Sequence, residues 1–583
     1  MKRLLRYLKD YKLESVLGPL FKMLEASFEL LVPLVMARMI DVGIRNRDMA
    51  YIMKMGGVLL LLAAVGLTCS LTAQYFAAKA AVGFSTALRN DLFRHINHLS
   101  YSEQDTIGTA TLITRMTSDV NQVQSGVNLT LRLLLRSPFI VFGAMIMAFT
   151  VNAKAAMVFA AAIPALSLVV FGIMAVSMPL YKKVQRQLDA VTRATRENLT
   201  GVRVVRAFNR QESEMETFRE SNDLLVKFQV FVGKISALMN PVTYVIINLA
   251  IAAVIWISGK QVDAGIITQG ETVALVNYMS QILVELIKLA NLIVSISKAL
   301  ACANRISLVL EEESSIQDSP AENQNQISAG GKSQGQACKV QFHHVSFAYK
   351  NAKADSLTDI NLKVEKGQTI GIIGGTGSGK STLVNLIPRF YDVRKGAVLV
   401  DGRDVRQYGL SQLRDKIGVV PQKAVLFQGT LRDNMKWGRP DASDEEIYRA
   451  LDMAQAREFV DEKGKGLELY IEQNGRNLSG GQRQRLTIAR ALVRNPEILI
   501  MDDSASALDF ATDAALRKAI QEGTRGMTVF LVSQRATTIR NADQILVLDD
   551  GAAAGLGTHR ELLETCQVYR EICLSQLSEE EVQ

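Results

Sequence analysis

The sequence predicts an α-helical membrane domain of six spans followed by an α/β domain built around a P-loop. Three observations predict it. The long apolar runs of the 583-residue chain lie almost entirely before residue 300. The later half has the mixed composition of a folded soluble domain. Within that half, a short apolar stretch, Thr369-Ile370-Gly371-Ile372-Ile373, runs into the loop Gly374-Gly375-Thr376-Gly377-Ser378-Gly379-Lys380-Ser381. A chain of this length exceeds one compact core, so at least two domains are expected.

Charge and cysteines narrow the class. The chain carries 66 Lys and Arg against 58 Asp and Glu, a net charge of +8. Several of the basic residues crowd the N-terminus, and in a membrane chain that bias reads as cytoplasmic anchoring. There is no clustered basic face with a recognition motif, so no nucleic-acid partner is expected. The five cysteines, Cys69, Cys302, Cys338, Cys566 and Cys573, form no Cys-x-x-Cys pair, and neither a disulfide nor a metal site is expected from them. Cys69 lies in an apolar run and reads as a small buried hydrophobe. Lys9, Asp10, Lys12 and Lys22 interrupt any signal-peptide core, so the start reads as an uncleaved cytoplasmic segment leading into a membrane helix.

A bilayer core of about 30 Å needs about 20 mainly apolar helical residues. The stretches near 16–40, 55–80, 133–151, 155–180, 242–258 and 272–296 meet that need. The first carries Lys22, Glu25 and Glu29, and the last Glu285 and Lys288. Ionisable groups at such depth face a bundle interior or a watery cavity, or else sit near helix ends and pair with one another. The connections near 82–132 and 181–241 are long, charged and helical in pattern. The positive-inside bias places them and the N-terminus on the cytoplasmic side, as helical levers. Residues 1–310 are taken as the membrane domain and 311–338, rich in Glu, Ser, Gln, Asn and Gly, as a flexible linker. The ATP-binding domain is expected over 339–578, with a short tail at 579–583.

The P-loop has the strand–loop–helix context its chemistry requires. Glycines let backbone N–H groups turn inward around phosphate oxygens. Lys380 supplies a point charge to the β- and γ-phosphates, and Ser381, with Thr382 beside it, offers a hydroxyl to Mg²⁺. Ile498-Leu499-Ile500-Met501 reads as a buried parallel strand. It ends in Asp502, a carboxylate suited to hold Mg²⁺ through water. Leu478-Ser479-Gly480-Gly481-Gln482 opens an Arg-rich helix, where a serine hydroxyl and glycine N–H groups make an anion site.

P-loop, signature and strand-end aspartate, in this relation, resemble the ATPase of ABC transporters, and the six spans with two cytoplasmic extensions resemble ABC exporters. The resemblance covers about 1–578. It implies ATP and Mg²⁺ as cofactors. It also implies that Ser479, Gly480, Gly481 and Gln482 of one ATPase domain close over the γ-phosphate held by another. Tyr349 resembles the aromatic that stacks on adenine, although alone it reads as a sheet-edge strand tyrosine. Gln422 resembles the glutamine that reaches Mg²⁺, and Ser506-Ala507-Leu508-Asp509 the D-loop. Gly475-Arg476-Asn477, Tyr101–Gly108 and 207–214 fall where the family couples ATPase to membrane domain.

Two positions depart from the pattern. Asp503 stands where the family has its catalytic Glu, and Gln534 where it has His. A carboxylate one methylene shorter reaches the attacking water less well, and Gln cannot carry a positive charge. The chain thereby resembles the degenerate-site subunit of heterodimeric bacterial multidrug exporters. That resemblance implies a second half-transporter with a competent Glu and His, an amphipathic small-molecule cargo, a lipid surround and a multi-pass location in the cell membrane. Glu25, Glu29 and Glu285 would suit a cationic compound. Two alternatives stand beside it: an ATP-gated regulatory or channel-like protein, and a slow-ATPase homodimer that exports lipid or peptide or acts as a sensor. The six spans argue against a soluble ATPase acting on DNA.

Overall fold

The computed structural model describes residues 4–318, 338–350, 352–504, 510–523 and 526–577. Its contacts divide the chain into two units. One runs to Asn97 and resumes over Thr109–Glu312; the other holds His98–Gly108 and continues from Glu313.

The first unit is helical. Lys12–Arg38, Met49–His98, Arg136–Val151, Ala153–Thr200, Met239–Asp263 and Gln269–Glu311 are its main helices. At 50 residues, Met49–His98 is about 75 Å long, well beyond a bilayer core of about 30 Å. The charged stretches expected to extend the spans are continuous with them as far as His98 and Thr200, where the helices end. Close packing rests on small residues: Ala73, Ala77, Ala80 and Ala81 are fully buried on one helix, which lets backbones approach. Gly270 sits against backbone. A Cβ there would lie 2.3 Å from the Ala37 carbonyl oxygen. The buried Tyr278 hydroxyl donates to the Leu30 carbonyl at 2.7 Å, and Cys69 is buried as expected.

The span count requires a correction. Among the described residues, five stretches are long and apolar enough to cross a membrane: Met49–His98, Thr109–Val151, Ala153–Thr200, Gln211–Asp263 and Gln269–Glu311. Lys12–Arg38 is not among them, because Lys22, Glu25 and Glu29 interrupt its middle.

In the second unit the helix Tyr101–Ile107 lies against the ATPase core. The Tyr101 ring is 4.7 Å from that of Phe390, and the Tyr391 hydroxyl donates to Asp105 at 2.7 Å. A six-stranded sheet runs, in spatial order, Ala552–Gly557, Gln544–Asp549, Thr369–Gly374, Thr528–Val532, Ile498–Asp502 and Ile417–Val420. Only the first pairing is antiparallel. Parallel strands are covered on both faces and so read as unbroken apolar runs. Ile498–Asp502 is buried throughout. A four-stranded antiparallel sheet, Leu357–Glu365, Cys338–Phe347, Lys395–Val400 and Arg403–Asp404, completes the core. Of the expected linker, 312–318 is described, and Asp318 accepts a hydrogen bond from Leu410 N at 2.7 Å. Residues 319–337, Ser506–Asp509 and the 579–583 tail lie outside the described residues.

Candidate nucleotide-binding site

The site forms at the carboxyl ends of three adjacent parallel strands, where open α/β sheets place their ligands. Thr369–Gly374 leads into the P-loop, Ile498–Asp502 delivers Asp502 and then Asp503, and Thr528–Val532 leads to Gln534. Asp502 is in register with Val532. Together they border a cavity of about 360 Å³. Its lining includes Tyr349, Thr376, Gly377, Gly379, Lys380, Ser381, Thr382, Gln422, Asp502, Asp503 and Gln534.

Two P-loop glycines, Gly374 and Gly379, are there for lack of room. A Cβ on Gly374 would lie 2.1 Å from the Leu548 carbonyl oxygen. Gly379 has φ +92°, and a Cβ there would lie 2.8 Å from the Ser356 oxygen. Gly374, Gly375 and the buried Ser378 shape the loop from behind and do not line the cavity. The Lys380 ammonium is held by the loop itself, donating to the carbonyls of Gly374 at 2.8 Å and Gly375 at 2.6 Å. Burial pulls its pKa below the usual lysine value, against the opposing pull of Asp503 and Asp502. A phosphate chain would restore the lost negative surround.

Asp502 is buried, and the Ser381 hydroxyl donates to it at 2.9 Å. Burial raises the Asp502 pKa, and the neighbouring Asp503 adds to the rise, while Ser381 and Lys380 work the other way. A divalent cation would hold the Asp502 carboxylate ionised. Ser381, Asp502 and Gln422 offer hydroxyl, carboxylate and amide oxygens, a hard donor set that fits Mg²⁺. Asp503 has φ +45°, and its N–H donates to the Val532 carbonyl at 2.9 Å. This turn aims its carboxylate at the cavity, where Gln422 Nε2 donates to it at 3.4 Å. The Tyr349 hydroxyl sits 2.9 Å from that of Thr382, and the half-exposed ring meets Tyr391 edge-on at 5.3 Å. Gln534 is exposed at the rim.

Two lining residues, Ser356 and Val532, escaped sequence reading. Ser356 lies in a loop without motif, and only the fold brings it beside Gly379. Val532 is an ordinary strand residue whose place follows from register alone.

The signature residues lie elsewhere on the surface. Ser479 caps the helix Gly480–Val493: its hydroxyl accepts from Gln482 N at 3.2 Å, and its N–H donates to Gln482 Oε1 at 3.0 Å. Ser479 and Gly480 are exposed, and none of Ser479, Gly480, Gly481 and Gln482 lines the cavity.

Comparison with known proteins fits this geometry. Residues 15–286 match the ABC transporter transmembrane region, and residues 357–506 match the ABC transporter ATPase family. An ABC transporter ATP-binding protein of Mycobacterium tuberculosis is 36% identical over 576 residues, 98% of this chain and 97% of the relative. The ATP-dependent lipid A-core flippase of Chromohalobacter salexigens is 32% identical over 584 residues, 100% of this chain and 98% of the flippase. A bacterial Atm1-family ABC exporter solved with ATP bound superposes with a TM-score of 0.77 over 97% of this chain and 98% of that one. At 23% identity it speaks to fold alone.

These findings correct the narrower resemblance. Relatives at 31–34% identity that carry an activity in their names include lipid A-core flippases, covered over 82–98% of their length. The reading as the degenerate half of a heterodimeric multidrug exporter does not stand. With it go the competent Glu- and His-bearing partner and the amphipathic drug cargo. The physical reason is that Asp503 and Gln534 are two side chains at one cavity, and they report on local turnover rather than on what the chain pairs with or carries. The chain belongs to the ABC transporter family, as a multi-pass membrane protein with an ATP- and Mg²⁺-binding ATPase domain in the cytoplasm.

Proposed function

We propose that two copies of this chain assemble head to tail into an ATP-driven exporter that moves lipid across the membrane, with slow turnover at each nucleotide site. The observation that carries the two-copy reading is the separation of the signature from the nucleotide cavity. Ser479 and Gly480 are exposed and already shaped by their capping box, and they do not line the cavity of their own chain. An identical chain can supply them. The lipid reading is supported by the lipid A-core flippase relatives, one of them matched over 98% of its length.

In this reading Lys12–Arg38 is the sixth span. Its charges are compatible with burial because each has a partner: Lys22 Nζ donates to Glu25 at 2.5 Å and to Ser70 at 3.0 Å, and Glu29 accepts from Arg136 at 2.7 Å. Paired charges do not select a cationic cargo, which removes the attraction expected of free carboxylates.

In each composite site Lys380, the P-loop N–H groups and the partner copy's Ser479 would hold the phosphates. Ser381, Gln422 and Asp502 would hold Mg²⁺. Asp503 would take the proton of the attacking water from one methylene further away than Glu does. Tyr349 would meet the adenine, and Gln534 would hydrogen-bond the γ-phosphate without adding charge. The test uses the purified chain alone, reconstituted into lipid vesicles. The expected results are a dimer by mass measurement and ATP-dependent movement of lipid between leaflets. A monomer that neither hydrolyses ATP nor moves lipid overturns the proposal.

A further inference from the structure

Four charges form a row inside the membrane unit. Arg136 donates through Nη2 to Glu29 Oε2 at 2.7 Å and through Nη1 to Glu285 Oε1 at 2.7 Å. Lys288 Nζ donates to the same Glu285 oxygen at 2.8 Å, and the Ser137 hydroxyl donates to the other at 2.8 Å. The inner pair is closed off, with the Arg136 and Glu285 side chains 8% and 3% exposed. The ends are open: Glu29 is 41% exposed and Lys288 44%. Both ends line one cavity of about 300 Å³, together with Asn277 and Gln281.

Pairing explains how the inner charges survive burial. It leaves two features unexplained. The row ends in one anion and one cation, both reachable from the same cavity. Gln281, a lining residue, has a buried Oε1 with no hydrogen-bond partner among the described residues. A purely anionic ligand would approach Lys288 but meet Glu29 and Glu285 as like charges. A purely cationic one would approach Glu29 but meet Arg136 and Lys288. A ligand carrying both charges satisfies both ends and closes the row into a ring of alternating sign. Its ammonium hydrogens also suit the unpartnered amide oxygen of Gln281.

We propose that this cavity takes a zwitterionic phosphate–ammonium lipid headgroup, phosphate at Lys288 and ammonium at Glu29. The proposal rests on the lipid-export reading and adds the headgroup class to it. A lipid is the favoured source because the row lies on helices of the membrane unit, among apolar spans.

The purified protein is reconstituted in vesicles of phosphatidylglycerol with rising fractions of phosphatidylethanolamine. ATPase activity and ATP-dependent exposure of lipid are followed, the exposure with an impermeant amine-reactive label for phosphatidylethanolamine and a leaflet-selective assay for phosphatidylglycerol. We expect phosphatidylethanolamine to stimulate ATPase severalfold and to move faster than phosphatidylglycerol. Glu29→Gln and Lys288→Gln should each remove most of that preference, and Lys288→Arg should retain it. Thermal melting of each variant shows that it is folded. Equal rates for the two lipids, or a preference untouched in folded Glu29→Gln and Lys288→Gln, overturn the headgroup proposal and leave lipid export standing. No ATP-dependent movement of either lipid overturns lipid export and this proposal together. Stimulation by soluble phosphoethanolamine equal to that by the lipid keeps the phosphate–ammonium chemistry and overturns the lipid as its source.

Discussion

Asp503 and Gln534 line one cavity with Lys380 and Ser381, so in the proposed site both would act on the same nucleotide. The backbone turn at Asp503 points its carboxylate into the cavity, and in the proposed site its side chain, one methylene shorter than Glu, would limit its reach. A misplacement of about 1 Å at a reacting group changes rates by on the order of a hundredfold. Restoring length and charge in the double variant Asp503→Glu, Gln534→His is therefore expected to raise steady-state ATPase by about tenfold or more. Unchanged turnover in the folded double variant would show that chemistry at this cavity is not what limits the rate. Both departures were legible in the sequence because each falls at a fixed distance along a motif. Ser356 was not, since its place beside Gly379 is set by tertiary packing.

The signature helix Gly480–Val493 carries two functions on one residue. Ser479 closes the helix with a capping box, and it presents a hydroxyl on the surface. The two separate by substitution. Ser479→Ala removes the cap and is expected to lower ATPase-domain stability by about 1 kcal/mol. Ser479→Asp keeps a capping oxygen but sets a negative charge where phosphate is to be met. Melting near the parent temperature with ATPase reduced at least tenfold is the expected result for Ser479→Asp. A variant that melts normally and hydrolyses normally would remove Ser479 from the reaction. The membrane helices teach the converse. Lys22, Glu25 and Glu29 weaken the apolar pattern of Lys12–Arg38 when read along the chain, because their partners Ser70 and Arg136 sit on other helices.

At the scale of the whole molecule, head-to-tail pairing makes a sharp prediction. Lys380→Ala damages the P-loop of its own copy, and Ser479→Asp damages the site of the other. Co-assembled, the two variants leave one composite site with both lesions and one with neither. Mixed dimers isolated through two different tags are expected to recover ATPase that neither variant shows alone. No recovery would count against shared sites. The ATPase unit also carries an acid-sensitive tie. The buried Lys339 ammonium donates to Asp401 at 2.6 Å and also meets Glu497, while Lys416 donates to Asp401 at 2.6 Å. Burial alone would push the Asp401 carboxyl up, but the two ammonium groups outweigh it and hold its pKa below the usual value. Its stabilisation is complete above the unfolded-state pKa and is lost as pH falls through the folded one. Melting of the intact protein should therefore drop more steeply on acidification for the parent than for Asp401→Asn. Parallel curves would show that the tie contributes nothing that titrates.

By itself the sequence determined the two-part architecture, a membrane domain followed by a P-loop ATPase domain, and the nucleotide it takes. Those rest on local rules: an apolar run must be as long as a bilayer is thick, and a phosphate loop must have its glycines and lysine in fixed order. Only the tertiary structure decided which charges are free. Read along the chain, Glu25, Glu29 and Glu285 could either suit a cationic compound or be paired with other charges. Arg136, more than a hundred residues away from Glu29 and from Glu285, lies between those two and turns them into a neutral row with one anionic and one cationic end. Electrostatics depends on distance in space, and no spacing rule carries that information from one helix to another.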